Sequence, residues 1–352
     1  MEPEIRIPGG TLTPRQSGGR SISVFDDKTA EKVRRLLEDG TPPNTRRAYA
    51  SDLRYFWAWC SAIGWTEEPI LPVPPEIVAR FIADHFEGMD PSIDEDLVAR
   101  GIKMRPGRHS IRTIDRRVSA LSSFHRAKGL PNPCASPMVI QLMSKARKAA
   151  ARRGDKPRKK KAIVRSVLDR VLETCSSDRL TDVRDAAILL FGFSSGGRRR
   201  SEIVDAVMER LEAVGDDYLY TLGITKTDQE GEGAVIPVSG RAAAALRRWI
   251  EMSGIVSGPI FRAIDRYGNI APGPLSDRTI ARIVQDRARM AGLDPKVFGG
   301  HSLRSGFLTE VGLQGKSLLE AMALSRHKTV QVAAGYHQAG AALHNSTASL
   351  MG

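Results

Sequence analysis

Residues 154–161 read GDKPRKKK: five bases, a glycine and a proline, with no large apolar side chain. No hydrophobic core accepts such a run, so it is read as an exposed linker between two bodies, the alternatives being a solvated charge run or a nuclear localisation match. The length, 352 residues, suits two domains of about 150 residues each. The reading is a Pro/Gly/Ser-rich mobile arm over 1–22, a first domain over 23–153, a basic linker over 154–162 and a second domain over 163–352.

Charge is distributed as unevenly as structure. The formal net charge is +13, and residues 1–161 hold 30 Lys and Arg against 19 Asp and Glu. Residues 162–352 are almost balanced, 23 against 21. From Lys103 to Lys161, 18 bases face only Asp115 and Asp155, so everything before that segment is net acidic. A field this concentrated attracts polyanions, and nucleic acid is the first candidate partner. A membrane surface is disfavoured, because the basic segment has no bulky aromatic face to insert. No secretory signal is read in MEPEIRIPGG, and three scattered cysteines (Cys60, Cys134, Cys175) make no disulfide framework. The expected location is cytoplasmic and nucleoid-associated.

Helical periodicity dominates the first domain. A short helix is expected over Asp26–Asp39, and Asn44 is read as capping a helix that carries Tyr49, Leu53, Phe56 and Trp59. At that spacing the aromatic stripe is core, not a base-stacking platform. Ile77, Val78, Phe81 and Ile82 follow Pro74–Pro75; residues 90–108 read as a loop or broken helix. Ile111, Ile114, Val118, Leu121 and Phe124 form another stripe, and a fifth helix starts near Ser136–Pro137. The second domain opens with helices over Ser166–Cys175 and Thr181–Phe193. Alternation at Tyr218, Tyr220, Leu222 and Ile224, then Ala234–Val238, with QEGEG between, gives a hairpin and one small sheet. Helices return at Arg241–Met252, Ser276–Met290 and from His301 onward. The fold class is mainly α: an all-helical N-terminal bundle plus a mostly helical α+β domain with a small antiparallel sheet.

Most enzyme chemistries lack their motifs here. There is no phosphate-binding Gly-rich loop, no H-E-x-x-H, no paired C-x-x-C and no G-x-S-x-G elbow. What remains is cationic. His301 and Arg304 stand three apart, as do Arg199 and Glu202; Lys226 lies at the hairpin tip; Tyr336 follows His327 by nine residues. Singly, each is an ordinary surface or core residue. Together they suit a phosphodiester: cations neutralise the non-bridging oxygens while a tyrosine attacks.

That order resembles the tyrosine recombinase (phage integrase) family, its Cre-like members in particular. The family's series of Arg, Lys, His-x-x-Arg, His or Trp, and Tyr appears as Arg199, Lys226, His301-Ser-Leu-Arg304, His327 and Tyr336. In GGRRRSEIV the family's R-x-x-E spacing selects Arg199 with Glu202 from three consecutive arginines. One departure stands out: LSRH (324–327) has Arg326 where the family usually has glycine. The resemblance implies a helical DNA clamp over 23–153 and a catalytic domain over 163–352. It implies Tyr336 as nucleophile, His301 as proton acceptor, Arg199 and Arg304 on the phosphate oxygens, His327 as hydrogen-bond donor and Lys226 as general acid. Glu202 would orient Arg199. It also implies no metal or other cofactor, double-stranded DNA as partner, and a homotetramer on two sites that is a monomer or weak oligomer when free. The function implied is site-specific strand exchange between inverted-repeat sites through a 3′-phosphotyrosyl link and a Holliday junction. The alternatives are a type IB topoisomerase-like nicking-closing enzyme and a non-catalytic DNA-binding protein. For DNA contacts the residues are Arg46, Arg47, Arg112 and Arg116 on two helices, and Lys159, Lys160 and Lys161 in the linker.

Overall fold

A computed structural model describes Gly40 and residues 43–66, 68–155, 160–223, 233–327 and 329–341. The arm at 1–22 and the helix expected at Asp26–Asp39 lie outside these residues. The chain divides into two compact units, Met1–Pro157 and Arg158–Gly352.

The described part of the first unit is helical throughout: α1 Pro43–Ala62, α2 Pro75–Glu87, α3 Pro91–Ala99, α4 Ile111–Ala127 and α5 Pro137–Arg152. Local chemistry sets the starts. Ser110 and Ser136 accept from backbone N–H groups two or three residues inside α4 and α5, and Asp90 does the same for α3. Prolines occupy the first turn of α2, α3 and α5, where no N–H is needed. One expectation changes. Asn44 is no cap; α1 begins at Pro43, and the Asn44 side chain accepts from Arg47 inside the first turn. Of the two readings of 90–108 the broken helix holds: α3 starts at Asp90–Pro91, stops after Ala99, and turns and bends follow.

Trp59 and Phe81 are fully buried at the centre of this unit's core, with Phe56, Val78, Leu97, Ile114 and Leu121 around them. Tyr49 is only half-buried. A polar seam crosses the same core. The Arg117 guanidinium lies over the Tyr55 ring, 3.2 Å from its centroid, and the Tyr55 hydroxyl meets His85 Nε2 at 2.9 Å and His109 Nε2 at 3.0 Å.

The second unit contains α6 Arg165–Leu172, α7 Leu180–Ser194 and α8 Arg200–Val204, then β1 Leu211–Val214, β2 Asp217–Thr221 and β3 Val235–Val238. It continues with α9 Arg241–Ser253, β4 Arg262–Ile264, β5 Ile270–Pro274, α10 Asp277–Met290, α11 Ser302–Leu313, α12 Leu318–Ser325 and α13 Val330–Ala341. The second half of α7 is apolar all round, as a central helix requires: Ala187, Ile188, Leu189 and Phe191 are all inaccessible, in one core with Leu246 and Trp249 of α9, while its first half buries Asp182, Arg184 and Asp185. β1, β2 and β3 form one antiparallel sheet in that order, with Tyr218 opposite Val238 and Tyr220 opposite Ile236. β4 and β5 form a second, two-stranded sheet. The expectation of one sheet is therefore corrected. β1 and β4 are four and three residues long and largely exposed, too short for a period of two to register. The connection from β2 to β3, with Lys226, lies outside the described residues.

α11 and α13 approach until their backbones touch. A Cβ on Gly312 would stand 2.1 Å from the His337 carbonyl oxygen, and one on Gly340 2.0 Å from that of Thr309. Leu308, Ala321 and Ala333 fill the small core between α11, α12 and α13, with the Tyr336 ring against it.

Candidate active site

The site is assembled from three helix ends. The first is the turn between α7 and α8. Gly196 and Gly197 adopt φ of 98° and 70°, which side-chain-bearing residues rarely do. A Cβ on Gly197 would stand 2.6 Å from Arg304 Cα, so the turn lies directly on α11. The three arginines that follow diverge. Arg198 turns inward and is fully buried. Arg199 faces a cleft, held by Glu202, whose carboxylate accepts from the Arg199 backbone N–H at 3.0 Å and from Nη1 at 2.5 Å. Arg200 runs out across Gly300.

The second end is the start of α11. His301 occupies the N-cap position and Arg304 lies in the first turn. Arg304 is almost wholly buried; Nη1 donates to the Gly197 carbonyl at 2.8 Å and Nη2 to His327 Nδ1 at 3.2 Å. Burial and the neighbouring Arg199 pull its pKa down to about 10 against the opposing pull of Glu202. The cleft lined by Arg199, Arg200, Ser201, Asp277, Gly300, His301 and Arg304 encloses 240 Å³.

The third end is the junction of α12 and α13. Arg326 closes α12 in the left-handed conformation, φ 57° and ψ 44°. The family's usual glycine is absent, but the backbone geometry that glycine serves is present. His327 follows, and its Nδ1 receives two donors, Arg304 Nη2 and the Ser325 hydroxyl at 2.7 Å. A nitrogen that accepts from an arginine carries no proton, so the ring proton is on Nε2, free to donate. Burial, then Arg304 and Arg199, lower the His327 pKa to about 4, which keeps the ring neutral.

Tyr336, midway along α13, places its hydroxyl 3.2 Å from His301 Nε2. Burial lowers the His301 pKa, with Arg304, Arg199 and Arg200 adding to the effect, which favours the neutral ring.

The structure thus brings together Arg199, Glu202, His301, Arg304, His327 and Tyr336. Lys226 and Lys159 lie outside the described residues. Lys160 and Lys161 are exposed and run beside the Pro295–Phe298 segment: the Lys161 N–H donates to the Val297 carbonyl at 2.8 Å, and Lys160 Nζ donates to that of Lys296. In the first unit Arg46, Arg47 and Arg112 are exposed on α1 and α4. Arg116 is exposed but committed, its Nη1 2.8 Å from the buried Asp52. Two residues at the site carry no signal in the sequence reading. Ser325 adds a second partner at His327 Nδ1, and Arg198 is buried among apolar helices; both stand immediately beside the motifs and are legible only as neighbours.

Residues 161–342 match the model of the phage integrase family. An integrase/recombinase xerD homolog of Selenomonas ruminantium is 32% identical over 90% of this chain and 87% of its own. The recombinase cre of Escherichia phage P1 is 25% identical over 88% of this chain and 90% of its own. Among solved structures, the XerH site-specific recombinase bound to a palindromic difH substrate superposes with a TM-score of 0.58 at 14% identity, covering 92% of this chain and 84% of that one. A lambda integrase dimer bound to a core site superposes with a TM-score of 0.54 at 16% identity, covering 88% and 94%.

Proposed function

This chain belongs to the phage integrase family of tyrosine recombinases, and from that premise we propose that it breaks and rejoins DNA at specific sites with Tyr336 as nucleophile. The observation that carries this reading is the 3.2 Å approach of the Tyr336 hydroxyl to His301 Nε2, beside a cleft lined by Arg199, Arg200 and Arg304 against one lining carboxylate, Asp277, with Glu202 holding Arg199. A free phenol has a pKa of about 10, so attack near neutrality needs a proton acceptor. His301 takes the proton as the Tyr336 oxygen bonds to phosphorus. Arg199 and Arg304 neutralise the non-bridging oxygens, and His327 Nε2–H donates to one of them. The P–O5′ bond breaks, Lys226 protonates the leaving oxygen, and a 3′-phosphotyrosyl link remains. A 5′-hydroxyl from the partner duplex reverses the step and completes the exchange. Two duplexes need four such sites, which gives a tetramer working through a Holliday junction.

Around this chemistry, residues 23–153 clamp the DNA, with Arg46, Arg47, Arg112 and Arg116 on its groove or phosphates. Lys159, Lys160 and Lys161 track the backbone between the domains. Among the described residues no helix is long and apolar enough to cross a membrane.

The test is covalent capture. The protein is mixed with sheared genomic DNA of the organism that carries its gene, stopped with SDS, and the DNA that stays attached is sequenced. Adducts at one inverted-repeat site, lost in Tyr336→Phe, are expected. Scattered adducts indicate a nicking-closing topoisomerase. Footprints without adducts indicate a binding protein.

A further inference from the structure

The recombinase reading uses Arg199 and leaves Arg198 unexplained. Its side chain is fully buried. Nη2 donates to the Leu324 carbonyl at 2.5 Å, while Nη1 stands 3.6 Å from Glu202 Oε2, an ion pair too long for a hydrogen bond. Nε and Nη1 have no hydrogen-bond partner among the described residues. A guanidinium so placed pays a desolvation cost that an apolar side chain of similar volume avoids, so stability alone is a weak reason for it.

Its position supplies a better one. Leu324 is in the last turn of α12, three residues before His327, and Arg326 and Ser325 fix the backbone and the Nδ1 partner between them. On the other side, Glu202 holds Arg199. The contact also constrains its own loop. A Cβ at Gly196 would stand 2.5 Å from the Leu324 oxygen and 2.7 Å from Arg198 Nη2, so the turn is built for this approach. We propose that Arg198 is a positioning residue that ties the C-terminal end of α12, and through it His327, to Glu202 and the Arg199 guanidinium that Glu202 holds. Arg199 and His327 then address one phosphate from a common frame instead of from two helix ends that move independently. Arg198 itself touches no substrate.

The inference rests on the recombinase reading, and its test separates the two. Single-turnover cleavage is measured on the duplex recovered by covalent capture, for wild type, Arg198→Met, Arg198→Lys, His327→Ala and the double variant Arg198→Met/His327→Ala. Arg198→Met is expected to lose about 100-fold in rate, the scale of a small misplacement of reacting groups. DNA affinity should hold, and the melting temperature should hold or rise, since a buried charge is removed. Arg198→Lys should recover part of the rate. In the His327→Ala background, Arg198→Met should cost under about threefold, because the residue acts through that histidine. Multiplicative losses, a melting temperature that falls with the rate, or full activity of Arg198→Met each overturn the proposal. Should Arg198→Met not fold, the same cycle run with Arg198→Lys decides it. No adduct from wild type would sink the recombinase reading and this proposal together; a wild-type adduct with equal Arg198→Met rates sinks only the proposal.

Discussion

The second unit buries two sets of arginines, and they are balanced differently. In the first set Arg287 donates to Asp185 at 2.8 and 2.9 Å, to Asp182 at 2.6 Å and to the Thr174 carbonyl at 2.8 Å. Arg184 covers the other oxygen of Asp185 at 2.7 Å. Two cations meet two carboxylates. Burial works against the charge on Arg287, but hydrogen bonds and attraction from Asp182 and Asp185 outweigh it and raise its pKa. In the second set, among the described residues, Glu202 ion-pairs with both Arg198 and Arg199, while Arg304 donates to the Gly197 carbonyl and His327 and feels Glu202 only at a distance. Burial wins there, and Arg198 and Arg304 fall to about 10. The closed set is a strut between α7 and α10. The other set carries excess positive charge beside an open cleft, which is what an anionic substrate would complete.

The largest effect should come from the closed set. Arg287→Ala leaves two buried carboxylates with one cation, and a loss of about 3–5 kcal/mol in urea unfolding is expected. A loss below 1 kcal/mol would erase the distinction. Arg304→Ala should do the reverse. Cleavage falls by about 10²–10³-fold, as when a preorganised donor is removed from developing charge, while urea stability stays level or improves. Parallel losses in both would mean that the site is merely another strut.

Acidity separates the sets more gently. His301 and His327 both titrate below the ordinary histidine value of 6.5 in the folded chain, His327 at about 4. Unfolded histidines take protons first as pH falls, so the stability these rings contribute is present above pH 6.5 and lost downward toward 4. With His301 as the proposed proton acceptor, cleavage should stay level from neutrality down through pH 6.5 and drop only below it. A pH–rate profile with its acid limb at 6.5 or higher would contradict the lowering of that ring's pKa by desolvation and its neighbouring arginines. The smallest effect concerns Arg326, held left-handed without a glycine. Arg326→Gly should relieve backbone strain of about 1 kcal/mol, read as a small rise in melting temperature with cleavage retained.

Much of this was legible in the sequence. Prolines and serines mark the starts of α2, α4 and α5, and the buried stripes through Phe56–Trp59 and Phe81–Ile82 keep the helical period. The motif residues Arg199, Glu202, His301, Arg304, His327 and Tyr336 announce themselves because their chemistry requires particular side chains at set spacings. β1, β4 and β5 stayed silent: β1 shows no alternation of burial, β4 is three residues long, and β5 carries two prolines and a glycine in five residues. Ser325 and Arg198 stayed silent for another reason. Arg198 works through a carbonyl of another segment, a partner that leaves no pattern along the chain, and Ser325 meets His327 through a two-residue spacing that the motif does not specify.

The docking of α13 on α11 has its own consequence. Gly312 and Gly340 let main chain meet main chain, so the gap between Tyr336 and His301 is set by backbone thickness and not by side-chain choice. A single methyl at either glycine acts as a shim, lifting the Tyr336 hydroxyl from His301 without removing any functional group. Drift in the side chains of α13 is cheap; one added carbon at the seam is not.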